Sequence, residues 1–166
     1  MKRERVIIAL ILLLGAVASY RLAAVPYHCN IVERRLEEAT RRALREPAGE
    51  AAISARHNSS EVARAIERCP AVANFYMIAA ANFRILRRFE EAEKMYLTAL
   101  EMERRPEIYF QLATTQADLG KLEPAIENFS RACRFVPTLI DQVPHHLRDL
   151  VYARSQPAAG SAGSRG

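Results

Sequence analysis

Between Ala73 and Pro137 the apolar positions recur in a pattern that repeats itself. With one half laid over the other, Tyr76 falls on Tyr109, Ala80 on Ala113, Phe89 on Leu122, Ala92 on Ala125, Tyr96 on Phe129 and Ala99 on Ala132, a spacing of 33 residues. Each copy carries two helical stretches with a stripe of apolar residues, and a period of that length is the signature of a helical solenoid. The small residues, Ala80, Ala92, Ala99, Ala113, Ala125 and Ala132, stand where two antiparallel helices must approach closely. The larger ones, Tyr76, Phe83, Phe89, Tyr96, Tyr109, Leu112, Leu122 and Phe129, are expected to fill the space beside them. Gly120 is placed to stop a helix in the left-handed conformation that only glycine takes cheaply. Pro124 reads as a first-turn residue of the next helix. In the first copy Arg87 replaces the turn glycine, and Arg104 stands where the second copy has Pro137.

The flanks are less regular. Ile31 to Glu46 reads as an amphipathic helix, with Val32, Leu36, Ala39 and Ala43 on one face, Leu44 beside them, and i,i+4 pairs of Glu37 with Arg41 and Glu38 with Arg42. Pro47-Ala48-Gly49 ends it. A short helix is expected over Glu50 to Arg56, a break at His57-Asn58-Ser59-Ser60 with Asn58 and Glu61 as a capping box, and a further helix from Glu61 to Cys69. The stretch from 28 to 72 is therefore read as a helical region holding a degenerate half-repeat. After Pro137, Leu147, Leu150, Val151 and the stem of Arg154 are expected to cover the end of the last repeat, because a terminal repeat otherwise leaves an apolar side in water. Residues 155–166, rich in Ser, Gly and Ala, have nothing to bury and read as disordered.

The N-terminal segment, 1–27, reads as a membrane-targeting element. Lys2, Arg3 and Arg5 precede thirteen residues, Val6 to Ala18, without a charge, and the apolar run resumes at Leu22 and stops at Pro26. About 20 residues are needed to span a bilayer, so an N-terminal transmembrane helix that serves as a signal anchor fits if Arg21 snorkels at the far interface. The basic start places the N-terminus inside. Ala16-Val17-Ala18 also fits the A-x-A site of a cleaved signal peptide. Both readings carry the remaining chain out of the cytoplasm.

The formal net charge is +5, but nine Lys/Arg face ten Asp/Glu between Ala71 and Gln142, and eight face seven between Pro26 and Pro70. The excess sits at the chain ends, which argues against nucleic acid as a partner. No phosphate-binding glycine loop, HExxH, GxSxG or CxxC is present, so no enzyme activity and no cofactor is expected. His145 and His146 are adjacent, diverge by about 100° on a helix, and have no third ligand nearby, so no metal site is expected. Of the three cysteines, Cys69 and Cys133 are candidates for a disulfide but lie about two repeats apart, Cys133 reads as a small buried residue, and Cys29 is a candidate for an intermolecular bridge.

The second copy resembles a tetratricopeptide repeat (TPR), with Tyr109, Leu112-Ala113, Gly120, Ala125, Phe129, Ala132 and Pro137 at the spacings of that family, and the first copy resembles it less regularly. The resemblance implies an all-α fold, a short TPR-like solenoid of antiparallel helix pairs in which residues 73–154 form two repeats and a capping helix. It also implies a groove built from the first helix of each repeat that holds an extended peptide or a helix. Carried over, that groove takes Asn74, Met77, Ala81 and Arg84 from the first copy and Glu107, Phe110, Thr114 and Ala117 from the second. The reading is of a membrane-anchored scaffold holding a protein partner in a cell-envelope complex, single-pass in the inner membrane with the repeats in the periplasm. A cleaved, exported chaperone or adaptor, a structural subunit packed permanently in a membrane complex, and a cytosolic domain on a mitochondrial outer-membrane receptor remain open, as does homo-oligomerisation. So does the possibility that the helix Ile31 to Glu46 folds into the groove against Met77 and Phe110.

Overall fold

The computed structural model describes residues 2–20 and 25–156. Among these it contains α-helices and one 3-10 segment and no strand: α1 (Lys2–Ser19), α2 (Val25–Ala43), α3 (Ala48–Arg68), α4 (Ala73–Ile85), α5 (Phe89–Met102), α6 (Pro106–Asp118), α7 (Leu122–Phe135), the 3-10 segment Pro137–Gln142 and α8 (His145–Ser155). Consecutive helices from α2 to α7 pack on one another as three hairpins, α2 with α3, α4 with α5 and α6 with α7, and α8 packs on α7.

The repeat region follows its pattern of small residues closely. Ala80, Ala92, Ala99, Ala113, Ala125 and Ala132 are all fully buried. A methyl group at these places lets the two helix backbones approach, and Tyr96, Phe129 and Leu112 fill the gaps alongside. Leu122, by contrast, is 49% exposed. It is the first residue of α7, whereas its counterpart Phe89 lies under the guanidinium of Arg87, 5.3 Å from the ring centroid.

Both repeats turn between their helices in the same way. After α6, the Lys121 amide donates to Gln116 O (2.8 Å) and the Gly120 amide to Ala117 O (3.0 Å), the paired bonds of a Schellman motif. After α4, the Arg88 amide donates to Phe83 O (2.9 Å) and the Arg87 amide to Arg84 O (2.9 Å). Gly120 has φ 74° and Arg87 has φ 60°, so an arginine adopts the left-handed conformation that glycine takes in the next repeat. The Arg88 guanidinium lies 4.8 Å from the centroid of Phe83, closing the turn across the positions where such motifs place an apolar contact.

The first hairpin departs from expectation. Helix α2 starts at Val25, with Pro26 tolerated in the first turn, where its missing N–H costs nothing. The capping box at Asn58 does not form, and α3 runs unbroken from Ala48 to Arg68. Ser59 and Ser60 stay helical by donating their hydroxyls to Ala55 O (2.7 Å) and His57 O (2.8 Å). Asn58 is buried in mid-helix. In place of a half-repeat there is a complete helix pair, with Pro47 at the N-cap of α3. Leu36, Ala43, Ala55 and Val62 are fully buried in or beside it, while Leu44 is exposed. The Glu37–Arg41 and Glu38–Arg42 pairs form at 2.7 and 3.2 Å.

The longer α2 also decides the disulfide. Antiparallel packing sets the first turns of α2 beside the end of α3, and Cys29 is bonded to Cys69 with their Cα atoms 6.2 Å apart. Cys69 therefore does not pair with Cys133, which is a buried free thiol, and Cys29 is not left for an intermolecular bridge.

At the far end Leu147 and Val151 of α8 are buried with Val143 against α7, and Ser130 Oγ donates to Val151 O (3.3 Å). Leu150 faces outward instead, and Arg154 pairs with Glu123 at 2.6 Å. The tail expected to be disordered lies outside the described residues from 157 onward.

Among the described residues no helix is long and apolar enough to cross a membrane. Of the transmembrane helix expected over 1–27 the described residues show none, and residues 1 and 21–24 lie outside them. Helix α1 has 18 residues, and its first four, Lys2 to Arg5, are all charged. The remaining length, at 1.5 Å per residue, gives ~21 Å against the ~30 Å hydrocarbon thickness. Leu22-Ala23-Ala24, where the apolar run resumes, lies outside the described residues. From Val6 to Tyr20 every described side chain of α1 and its end is exposed.

Arg87→Gly should stabilise the chain by about 0.5–1 kcal/mol by relieving the left-handed backbone, and Gly120→Ala should destabilise it by about 1 kcal/mol, both read in urea denaturation. Replacing Cys29 and Cys69 together by Ser should cost about 3–4 kcal/mol, because the bond closes a loop with a sequence separation of 40 residues. In the unfolded wild-type chain a maleimide-polymer reagent should add once before reduction, at Cys133, and three times after it, as counted by gel shift.

Candidate functional site

Helices α2, α4 and α6 are the first members of the three hairpins, and the residues expected to form a groove lie on α4 and α6. Two of them come together through a residue of the loop before α6. Arg105 Nη2 donates to Asn74 Oδ1 and to Met77 Sδ, the latter at 3.1 Å, and Arg105 Nε lies 2.9 Å from Glu103. Asn74 in turn donates its amide to Glu33 of α2. A second contact between α2 and α4, from Asn82 Nδ2 to Thr40 Oγ1 (3.1 Å), is buried. Helix α2 is thus held against α4 by polar side chains at both ends of the contact, and Asn74 is occupied within the fold. Met77 packs with Ala80, Tyr96, Ile108 and their neighbours.

Arg84 lies elsewhere on α4, in a cleft of about 340 Å³ lined by Leu44, Ala81, Arg84, Tyr96, Gln111 and Asp118 among others. Its guanidinium donates to Gln111 Oε1 (2.9 Å) and to Asp118 Oδ2 (3.2 Å). Gln111 and Asp118 are seven residues apart and share one face of α6. That face lies one residue round from the line Phe110–Thr114–Ala117 expected to point into the groove. Phe110 instead packs edge-on to Phe129, with ring centroids 5.1 Å apart, and joins Ala117, Leu139 and Ile140 around the core under Val143 and Leu147. Phe110 is thus partly buried against the cluster that takes in Val143, Leu147 and Val151 of the C-terminal cap. Thr114 Oγ1 donates to Phe110 O (2.9 Å), and Glu107 is exposed in the first turn of α6.

The cleft at Arg84 therefore combines an ion pair, a side-chain amide, the small Ala81 and the exposed apolar Leu44. Tyr96 is buried at its base, and burial raises the pKa of its phenol, opposed by the nearby Arg84 guanidinium. The cleft offers hydrogen-bond donors and acceptors and an apolar surface. Burial likewise raises the pKa of the Cys133 thiol, which lies in the core and away from this cleft. Among the described residues no group of three His, Cys, Asp or Glu is placed to hold a metal ion. The repeat pattern does not point to Leu44, Gln111, Asp118 or Arg105. The seven-residue spacing of Gln111 and Asp118 was the signal for two of them. Arg105, in a loop, had none.

Phe110→Ala should cost about 2 kcal/mol or more because its ring is packed on Phe129, and Ala113→Arg about 3 kcal/mol or more because a charge would be forced between touching helices. Urea melts followed by circular dichroism read both. An unchanged midpoint for either would contradict the packing described for α6 and α7.

Compared with known protein families, residues 106–136 match the tetratricopeptide repeat model. The matched segment is the α6–α7 hairpin with its Gly120 turn. No match is found among the curated proteins. The similarity to the tetratricopeptide repeat is thus to α6 and α7.

Proposed function

We propose that this protein is a non-catalytic scaffold that holds an extended segment of a protein partner in the cleft between α4 and α6. The observation that carries this reading is the cleft at Arg84, which lies on the first helices of adjacent hairpins, one of them inside the matched repeat. TPR repeats typically bind proteins rather than catalyse reactions. The chemistry of the cleft suits such a ligand. Gln111, Arg84 and Asp118 can exchange hydrogen bonds with a peptide backbone, and Leu44 with Ala81 can receive an apolar side chain. Of the eight groove residues taken from the repeat pattern, Arg84 makes the central contact and Ala81 lines the cleft with it. Asn74, Met77, Phe110, Thr114 and Ala117 are engaged within the fold, and Glu107 is exposed in the first turn of α6.

The Cys29–Cys69 bond favours an oxidising compartment, since structural disulfides are rare where thiols are kept reduced. Together with the basic start, the apolar α1 and the Ala16-Val17-Ala18 site, it supports export of the helical body and work in the cell envelope. From Val6 to Ser19 helix α1 carries no charge and is exposed, the state of a segment that leaves water for lipid or for the export machinery. Because its uncharged part is short, export followed by cleavage after Ala18 is better supported than a spanning anchor.

Ala81→Arg tests the cleft. The substitution fills it from a half-buried position, so the thermal midpoint should change little, while a partner that co-purifies with the wild-type chain should be lost. Equal recovery with both proteins would place the binding surface elsewhere.

A further inference from the structure

A second cleft shares no residue with the one at Arg84. The C-terminal ends of α5 and α7 flank the start of α6, and a cleft of about 660 Å³ opens there, lined by Leu97, Leu100, Glu101, Arg104, Tyr109, Arg131, Arg134 and Phe135. Its aromatic part is a platform, with the rings of Tyr109 and Phe135 stacked 15° from parallel and 6.4 Å between centroids. Phe135 is 63% exposed and Leu97 43%. With Leu97 beside it, a ring so open to water, on a helix that buries Ile126 and Phe129 and otherwise exposes only Leu122 at its first turn, is a contact surface without a contact.

The charges around it are one-sided. Three arginines line the cleft against one glutamate. Arg131 sits 5.9 Å from the Tyr109 centroid and pairs with Glu127 from outside the cleft. Arg134 donates to a neutral acceptor, Arg154 O, at 2.9 Å. Among the described residues no carboxylate lies within 4.0 Å of Arg104 or Arg134. Arg104 is also the residue that stands where the second repeat has Pro137, so the first repeat departs from its pattern at the point where a cation joins this cleft. The helical body as a whole is close to neutral; a similar excess lies at Arg35, Arg64 and Arg68 beside Glu61, but only here does it border a stacked aromatic pair among the described residues.

We infer that this cleft binds an acidic segment of a second protein, one that lays an aromatic or aliphatic side chain on the Tyr109–Phe135 platform and sets carboxylates against Arg104 and Arg134. Guanidinium groups pair bidentately with carboxylates and stack on aromatic faces, so the two features recognise one ligand. The cleft size suits one large side chain with its flanking residues. With the cleft at Arg84 occupied as proposed, the chain would join two partners.

The test selects displayed random twelve-residue peptides on the full chain and measures the enriched ones by fluorescence anisotropy. Peptides with an aromatic or large aliphatic residue beside at least two acidic residues are expected. Their affinity should fall about tenfold or more in Arg104→Glu and in Phe135→Ser, weaken as salt is raised, and remain unchanged in Ala81→Arg. Both cleft residues are exposed, and circular dichroism checks that the variants fold. Enrichment of peptides without acidic residues, no enrichment at all, or binding that survives Arg104→Glu and Phe135→Ser would overturn the inference. Loss of binding in Ala81→Arg alone would assign the peptides to the other cleft and overturn it as well. Single-stranded oligonucleotides that displace the peptides and bind more tightly would replace the acidic protein segment with nucleic acid and reject the proposal.

Discussion

Close approach of antiparallel helix backbones is the constraint on which the rest of this structure depends. Six alanines at equivalent places in two repeats are fully buried, and each marks a place where any larger side chain would push one helix off its neighbour. With the hairpins held this tightly, the surface left over consists of the edges between hairpins. Both clefts lie at such edges. Their shapes are set by helix ends and by what the turns force into view, not by loops free to vary.

The turns show how much of the repeat is geometry rather than residue identity. Gly120 and Arg87 take the same left-handed conformation and close the same pair of hydrogen bonds. Arginine tolerates a conformation disfavoured by about 1–2 kcal/mol because the packing of α4 on α5 determines the turn from both sides. Two guanidinium–aromatic contacts, Arg87 with Phe89 and Arg88 with Phe83, then cover rings at the turn. A position that looks like a defect in the repeat pattern is a variation on how the same turn is closed.

What could be read from the sequence follows the reach of each interaction. The repeat helices, the buried alanines and the i,i+4 ion pairs depend on spacing within one element, and spacing is visible. The start of α2 and the unbroken α3 depended on neighbours. Asn58-Ser59-Ser60-Glu61 has the composition of a cap, but packing of α3 on α2 and α4 outweighed it, and the serine hydroxyls found acceptors within the helix. Starting α2 at Ile31 also hid the disulfide, because Cys29 then belonged to no element and could not be placed beside Cys69. In the candidate site, Arg84 was legible from the repeat pattern. Its partners Gln111 and Asp118 show a seven-residue spacing that marks one face of α6, but the repeat pattern points to the neighbouring line through Phe110, Thr114 and Ala117.

The covalent link between Cys29 and Cys69 also decides how a pull is transmitted along the chain. Tension applied through the N-terminal segment enters α2 at Cys29 and passes across the sulfur atoms to Cys69, next to the start of α4. The 40-residue stretch between the two cysteines would otherwise pay out ~140 Å of extended chain at ~3.5 Å per residue; the bond instead passes the force from the first turns of α2 toward α4, the helix that bears Arg84.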